Sequence, residues 1–290
     1  VGQTRGMTVR DLVSDLFAEH LDRLTAHPVR LQTLVALLED LEIAEPTTRV
    51  AMAGLRREGL FTASRSGRET LYTPTDRLRA VRERRQERLD QRLLPWDGRW
   101  RMVIYTVPET DRATRERVRR TLGRHGFGML APATWISPQE AALDEVRAEL
   151  ATEPIARLDV LRATMADADM PSTDFELAHR CWDLEALAAG WRELTASFRG
   201  QLAAPCPSGA EALRAHLRSL RAFRAMVGSD PFLPPELKAT DWPGQDACDT
   251  WTELSARLAD PAREHVGARL AEDVGEVVAP RAQQDSPSLI

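Results

Sequence analysis

Lysine is all but missing from this chain: Lys238 stands alone, so nearly every one of its 39 basic residues is arginine. The bias accompanies abundant alanine and leucine and reads as codon usage rather than as a mark of function. Cysteine is scarce as well. Cys181, Cys206 and Cys248 are an odd number at wide, irregular spacing, which excludes a disulfide framework and a CxxC metal or redox site. His179 lies two residues from Cys181, but no second pair completes a zinc set. No stretch approaches the roughly 20 apolar residues of a membrane span, and the polar opening Val1-Gly2-Gln3-Thr4-Arg5-Gly6 lacks the apolar core of a signal peptide. A cytoplasmic protein with reduced thiols and no membrane partner is expected. GxxxxGK[ST], HExxH, GxSxG and a strand-following GxGxxG are absent too, so no catalytic residue, metal or cofactor is expected.

What is present is chain enough for two or three domains: 290 residues, 43% of them hydrophobic and 29% charged. The formal net charge of -5 argues against a surface wholly given to nucleic acid and leaves room for a local basic face.

Such a face is written near the N-terminus. Leu12, Val13, Leu16, Phe17, Leu21 and Leu24 recur at helical spacing, Pro28 interrupts, and Leu31, Leu34, Val35, Leu38 and Leu41 form a second stripe. Glu45-Pro46-Thr47-Thr48 then suits a helix start, with proline in the first turn and an acid at the positive end of the dipole. That third helix is expected to run to about Glu58, stopped by Gly59. Leu60 to Thr73 reads as two short strands around a Ser-Gly turn. Three helices followed by a basic hairpin is the order of a winged helix-turn-helix, assigned to residues 1–75.

In such a motif the second helix of the pair lies in the major groove. Leu55, Ala51, Met52 and Thr48 fall toward the preceding helices, leaving Thr47, Arg49, Val50, Ala53, Gly54, Arg56 and Arg57 on or near the outer face. The DNA-binding candidates are Thr47, Arg49, Ala53, Arg56 and Arg57 from this face and Thr48 in the first turn beside it, with Arg65 and Arg68 at the wing tip as phosphate contacts. A solvated basic surface, or a winged helix that docks protein and no longer reads DNA, is the competing reading.

Arg77 to Leu93 alternates charge over sparse apolar positions and is expected to form a connecting helix, residues 76–97. Trp100 to Pro108 is a β-rich run, Arg112 to His125 an amphipathic helix, Gly128 to Ile136 a second strand, Ala141 to Leu150 a helix and Ile155 to Thr164 a strand. This order suggests a ferredoxin-like domain over residues 98–175, of a kind that commonly supports dimerisation. Stripes through Leu184, Leu187, Trp191, Leu194 and Phe198, and through Leu213, Leu217, Leu220, Phe223 and Met226, indicate a mostly helical C-terminal domain over 176–278. Residues 279–290 have the composition of a disordered tail. The overall expectation is an α+β protein.

Several longer motifs carry a resemblance. Pro95-Trp96-Asp97-Gly98-Arg99-Trp100, Gly126-Phe127-Gly128 with Trp135-Ile136-Ser137-Pro138, and Arg49-Val50-Ala51-Met52 with Gly59-Leu60 resemble the PaaX family of phenylacetate-pathway repressors. So do Cys181-Trp182-Asp183-Leu184, Asp230 to Leu237, and Asp241-Trp242-Pro243-Gly244, so the similarity spans nearly the whole chain. The resemblance implies a dimeric repressor on double-stranded operator DNA, released by an aryl-CoA thioester such as phenylacetyl-CoA. Family members often carry Ser-Arg where this chain has Ala53-Gly54, which puts the family's operator sequence in doubt here. Arg214, Arg218, Arg221 and Arg224, spaced along one helix, are candidates for the CoA phosphates, and Trp182 for an aromatic contact. A solvated basic face and a core anchor are the competing readings of these residues. The middle domain is also similar to the small ferredoxin-like nucleases of CRISPR adaptation. Those carry a metal-binding aspartate at the end of the first strand, where this chain has Thr106, with Asp111 nearby as the residue that keeps a metal-dependent nuclease in view.

Overall fold

Helix α1, Val9–Leu16, starts where a side chain can satisfy its unpaired amides: Thr8 accepts from the Asp11 amide, and the Asp11 carboxylate accepts from the Thr8 amide at 3.0 Å. The computed structural model describes residues 8–25, 27–80, 83, 95–165 and 173–275, and they fall into two compact units. One takes the described residues of Val1–Val81, Leu202–Arg221 and Glu253–Ile290; the other those of Arg82–Gln201 and Ala222–Thr252. Much of the expected connecting helix, and the whole expected tail, lie outside the described residues.

In the first unit, α1 runs on through a π-helical turn, Phe17–Leu21, and a short turn, Asp22–Leu24. Leu12, Val13, Leu16, Phe17 and Leu21 are buried as the stripe predicts, but Leu24 is 37% exposed because the helix ends beneath it. Phe17 meets Phe61 edge-on at 4.7 Å. Helix α2, Leu31–Glu39, and helix α3, Glu45–Arg57, follow. Gly59, at φ +71°, takes the left-handed conformation that ends α3, and Leu60 donates back to Leu55 at 3.0 Å. Strands β2, Phe61–Ser66, and β3, Glu69–Pro74, form the hairpin. A two-residue strand β1, Val29–Arg30, adds to the far side of β3, in the order β1-β3-β2. Two residues are too few to show any alternation, so the sequence carries no trace of β1.

The second unit holds a four-stranded antiparallel sheet. Strand β4, Trp100–Thr106, leads to α4, Arg112–Arg124; then come β5, Gly128–Ala131, β6, Thr134–Ser137, α5, Glu140–Leu150, and β7, Arg157–Ala163. The sheet order is β5-β6-β4-β7. The single strand expected over Gly128 to Ile136 is instead a hairpin, because Pro132 removes a ladder donor and Ala133 turns the chain at φ +60°. Val103 and Tyr105 pack on Val118, Leu122, Leu143 and Val146. On the opposite face, Trp100 and Ile136 pack on Leu177, Leu184, Leu233 and Leu237.

The C-terminal residues are helical: α6, Asp174–Cys181; α7, Leu184–Ala203; α8, Gly209–Ser229; and α9, Gly244–Gly275. The fold is thus α+β with a helical C-terminal region.

Two glycines of one motif do different work. Gly126 turns the chain at φ +80°, whereas Gly128 lets β5 approach α6 so closely that a β-carbon would lie 2.6 Å from Trp182 Cε2 and 2.8 Å from Cys181 Cβ. Gly128→Ala should therefore lower stability by about 1–3 kcal/mol, read as a lower urea midpoint. An unchanged midpoint would contradict the tight approach.

Candidate nucleic-acid interface

Helix α3 is two-faced. Ala51, Met52 and Leu55 are buried, and so is Thr48, at 0% exposure with its hydroxyl lacking a partner among the described residues. Thr48 is therefore corrected from a candidate contact to a residue of the buried back of the helix, and its side chain does not reach a base edge. Thr47, Arg49, Val50, Ala53, Arg56 and Arg57 are exposed. Gly54, expected on the outer face, is buried: the Arg10 guanidinium from α1 lies over it, 3.0 Å from where a β-carbon would stand, and ion-pairs with Glu58 at the helix end. A side chain at position 54 would have to displace that arginine.

The cations differ in availability. Arg49 is tied to Glu45 one turn earlier, Nη2 to Oε1 at 2.6 Å, an exposed pair of the kind that a phosphate can displace at small cost. Arg56 and Arg57 make no ion pair among the described residues, and neither do Arg65 and Arg68, which flank Gly67 at the hairpin tip. Arg30 braces the hairpin through Glu69 at 3.0 Å. The first unit thus presents a helix with cations at its C-terminal end beside a cation-tipped hairpin, an arrangement suited to a polyanion.

The turn between α2 and α3 is gripped by residues that sequence reasoning missed. Asp40, at the end of α2, accepts from His265 Nε2 at 2.8 Å and from Arg269 Nη2 at 2.9 Å, both on α9. Glu42 sits at φ +65° and accepts from Arg214 Nη1 of α8 at 3.1 Å. Burial pushes the Asp40 carboxyl up, but the hydrogen bonds and charges of Arg269 and His265 hold it below the usual carboxylate range. Behind the same helices, His20 and His216 meet at 3.1 Å, and His216 reaches Ser255 Oγ at 3.1 Å. Burial, with His216 adding to it, lowers His20 to about 3, which leaves the ring neutral in the core. Partners 172 to 229 positions apart leave no periodic signal, which is why only the fold reveals them.

The ligand candidates are not brought together. Arg214 is committed to Glu42 and, at 3.6 Å, to Glu211, and so is corrected from a free phosphate cation to a structural one. Arg218 is exposed, while Arg221 and Arg224 are half-buried with interactions of their own. Trp182 lines a shallow depression of about 340 Å³ with Asp183, Leu187, Gly190, Met226 and Pro231, and none of the four arginines lines it.

The family-like motifs of the second unit turn out to be packing devices. Arg101, almost wholly buried, is clasped by both Asp97 oxygens at 2.7 and 2.9 Å and by Glu140 at 2.7 Å. Trp100 donates to Asp174 at 2.6 Å and stacks on Trp182. Trp191 donates to buried Asp230 at 2.8 Å. Asp111 caps α4, accepting from the Thr114 amide at 2.9 Å, a bond that holds its carboxyl low, and Thr106 is exposed at the end of β4. Among the described residues, no three His, Cys, Asp or Glu side chains cluster as metal donors. Burial raises the Cys181 thiol to about 11 and raises Cys248 too, which leaves both as poor nucleophiles.

Comparison with known proteins adds what geometry does not supply. Residues 8–78 match a family model described as PaaX-like protein, residues 93–174 the PaaX protein central Cas2-like domain, and residues 182–268 the PaaX-like protein C-terminal domain. The transcriptional repressor PaaX of Escherichia coli (strain K12) is 29% identical over 280 residues, covering 93% of this chain and 86% of that protein. A solved structure of the uncharacterized protein Rv0674 from Mycobacterium tuberculosis superposes with a TM-score of 0.60 at 26% identity, covering 89% of this chain and 98% of the other.

The grip on the α2–α3 turn is measurable. Asp40→Asn should cost about 1.5–3 kcal/mol at neutral pH, since it weakens hydrogen bonds to a charged acceptor. A carboxyl held low stabilises the fold above its unfolded pKa and loses that contribution as pH falls through its folded one, so the gap between variant and parent in urea unfolding should close in acid. A gap that persists undiminished at acid pH would refute the assignment.

Proposed function

The chain belongs to the PaaX family of transcriptional regulators, and from that membership we propose that it is a DNA-binding repressor that grips its operator through the first unit. The similarity to a repressor makes it a regulator rather than an enzyme, and the docking-scaffold and nuclease readings are not favoured. The order α1, β1, α2, α3, β2, β3 with the sheet β1-β3-β2 supports reading residues 1–75 as a winged helix-turn-helix with α3 as its reader helix. The sheet order β5-β6-β4-β7, with α4 and α5 on one face, supports a ferredoxin-like domain over 98–175. We assign residues 176–278 to the helical C-terminal domain.

The observation that carries the reading is the pairing of a helix buried on one side with exposed cations on the other. Arg49, Arg56 and Arg57 are assigned to base edges and adjoining phosphates, with Thr47 and Ala53 beside them, and Arg65 with Arg68 to the backbone across the groove. Two copies of the chain would engage half-sites separated by about one or more helical turns. For the effector we propose an aryl-CoA thioester such as phenylacetyl-CoA, with the apolar depression beside Trp182 as the place for the aryl group.

Three measurements test this. Arg49→Ala with Arg57→Ala should weaken operator binding at least tenfold, given about 1–3 kcal/mol for a good bidentate base contact; unchanged affinity at physiological salt sinks the DNA reading. Arg65→Ala with Arg68→Ala should instead weaken specific and non-specific duplexes alike and make the dependence of log K on log salt shallower, by about 0.9 in slope for each phosphate no longer neutralised. Isothermal titration with phenylacetyl-CoA should give a heat of binding that Trp182→Ala abolishes, and no heat with the parent protein removes that effector.

A further inference from the structure

We propose that α3 recognises thymine through its C5 methyl group and that Val50 is the residue that does so; this deepens the DNA reading above and rests on it. Val50 is 72% exposed, more than any other large hydrophobic among the described residues: Leu24 is 37%, Phe175 40%, Met129 43% and Leu161 47% exposed. It occupies the middle of the exposed face of α3, one turn from Thr47 on one side and Ala53 on the other, and both of these are exposed too. The centre of the face is therefore a strip of methyl-bearing side chains. The cations border it: Arg49 stands beside Val50, tied to Glu45, and Arg56 and Arg57 close the C-terminal end of the strip in the last turn. A further guanidinium, that of Arg10, lies over Gly54 and is held by Glu58.

An apolar strip framed by arginines commits the occupant. A hydrophobic protein partner would need acidic groups placed opposite Arg49, Arg56 and Arg57, whereas any duplex already carries phosphates on either side of the groove that a helix fills. Within that groove the bases offer one apolar group, the thymine methyl; guanine and adenine offer acceptors and donors, and cytosine a donor. A valine isopropyl has nothing to hydrogen-bond, so placing it against a cytosine amino group or a guanine carbonyl strips water from a polar edge and returns no partner. Against thymine it removes two apolar surfaces from water together. The expected operator therefore carries an A·T pair at the centre of each half-site, with thymine facing Val50 and a second thymine within reach of Ala53 or Thr47.

The test needs a substitution that removes a methyl and leaves every hydrogen bond in place, and deoxyuridine for thymine does so. A high-affinity duplex, selected from a random library with the full-length protein, is remade with deoxyuridine at one thymine at a time. The parent protein should lose roughly three- to tenfold in affinity at one or two positions per half-site and little elsewhere. Val50→Ala should bind the thymine duplex more weakly and the deoxyuridine duplex almost as before, so that the difference at that position falls to within about twofold. Val50 is exposed on a helix, and alanine there leaves the core untouched; circular dichroism confirms the fold. A parent protein that binds the selected duplex but tolerates deoxyuridine everywhere overturns the inference. So does a Val50→Ala variant that keeps the full penalty, or one whose affinity for the thymine duplex is unchanged, which would make Val50 a surface for protein contacts. A parent protein that selects no duplex at all removes the DNA reading itself, an outcome distinct from the others because it precedes any comparison of thymine with deoxyuridine.

Discussion

Met52 and Leu55 have almost no contact with solvent, and every exposed residue of α3 takes its direction from that fact. A helix this short gains little from its own hydrogen bonds in water, so its orientation is set by the face it buries. With Thr48, Ala51, Met52 and Leu55 turned inward, the 100° step of the helix sends Thr47, Val50 and Ala53 outward and leaves Arg49, Arg56 and Arg57 beside them. Burying Gly54 belongs to the same constraint. The position has no side chain, and the space is taken by Arg10, which crosses the helix to reach Glu58 and pins α1 to α3 from outside the core.

Polar contacts finish what burial begins. Asp40 and Glu42 stand in the turn that sets the angle between α2 and α3, and each is held by hydrogen-bond donors from distant parts of the chain, Arg269 with His265 for Asp40 and Arg214 for Glu42. Hydrogen bonds to charged groups are directional, so they fix an angle where apolar packing alone would allow sliding. These residues position α3 and stand apart from its exposed face. The second unit follows the same plan: buried Arg101 keeps its charge because Asp97 and Glu140 surround it, and the Trp96-to-Arg101 segment is shaped by that clasp, with Gly98 at φ +73° turning the chain so that Asp97 can reach back.

Elements with a strong period are legible in the sequence. The three N-terminal helices, the Gly59 stop and the hairpin around Gly67 follow from apolar spacing and from residues with one conformational role each. Elements without a period are not. Strand β1 is two residues long, and the β5–β6 hairpin reads as one strand because its turn is only Pro132 and Ala133, too short to stand out in a β-rich run. At the candidate site the arginines can be found from sequence because helical geometry places them. The same geometry turns Thr48 inward, but it cannot place Gly54, because a helical wheel gives an angle, and the depth of burial depends on which neighbour lies over that angle, here Arg10.

The N-terminal region is where sequence and tertiary structure divide the work most plainly. Local chemistry determined that α3 begins at a proline-bearing first turn, ends at a glycine, carries arginines in its last turn and is followed by a basic hairpin, because those features act over one or two turns of chain. Tertiary structure alone decided which side chains stand available to a partner. It committed Arg214 to Glu42, laid Arg10 across Gly54 and left Val50 standing in solvent at the centre of the face, since a side chain's availability is set by neighbours up to 229 positions away and no local pattern encodes them.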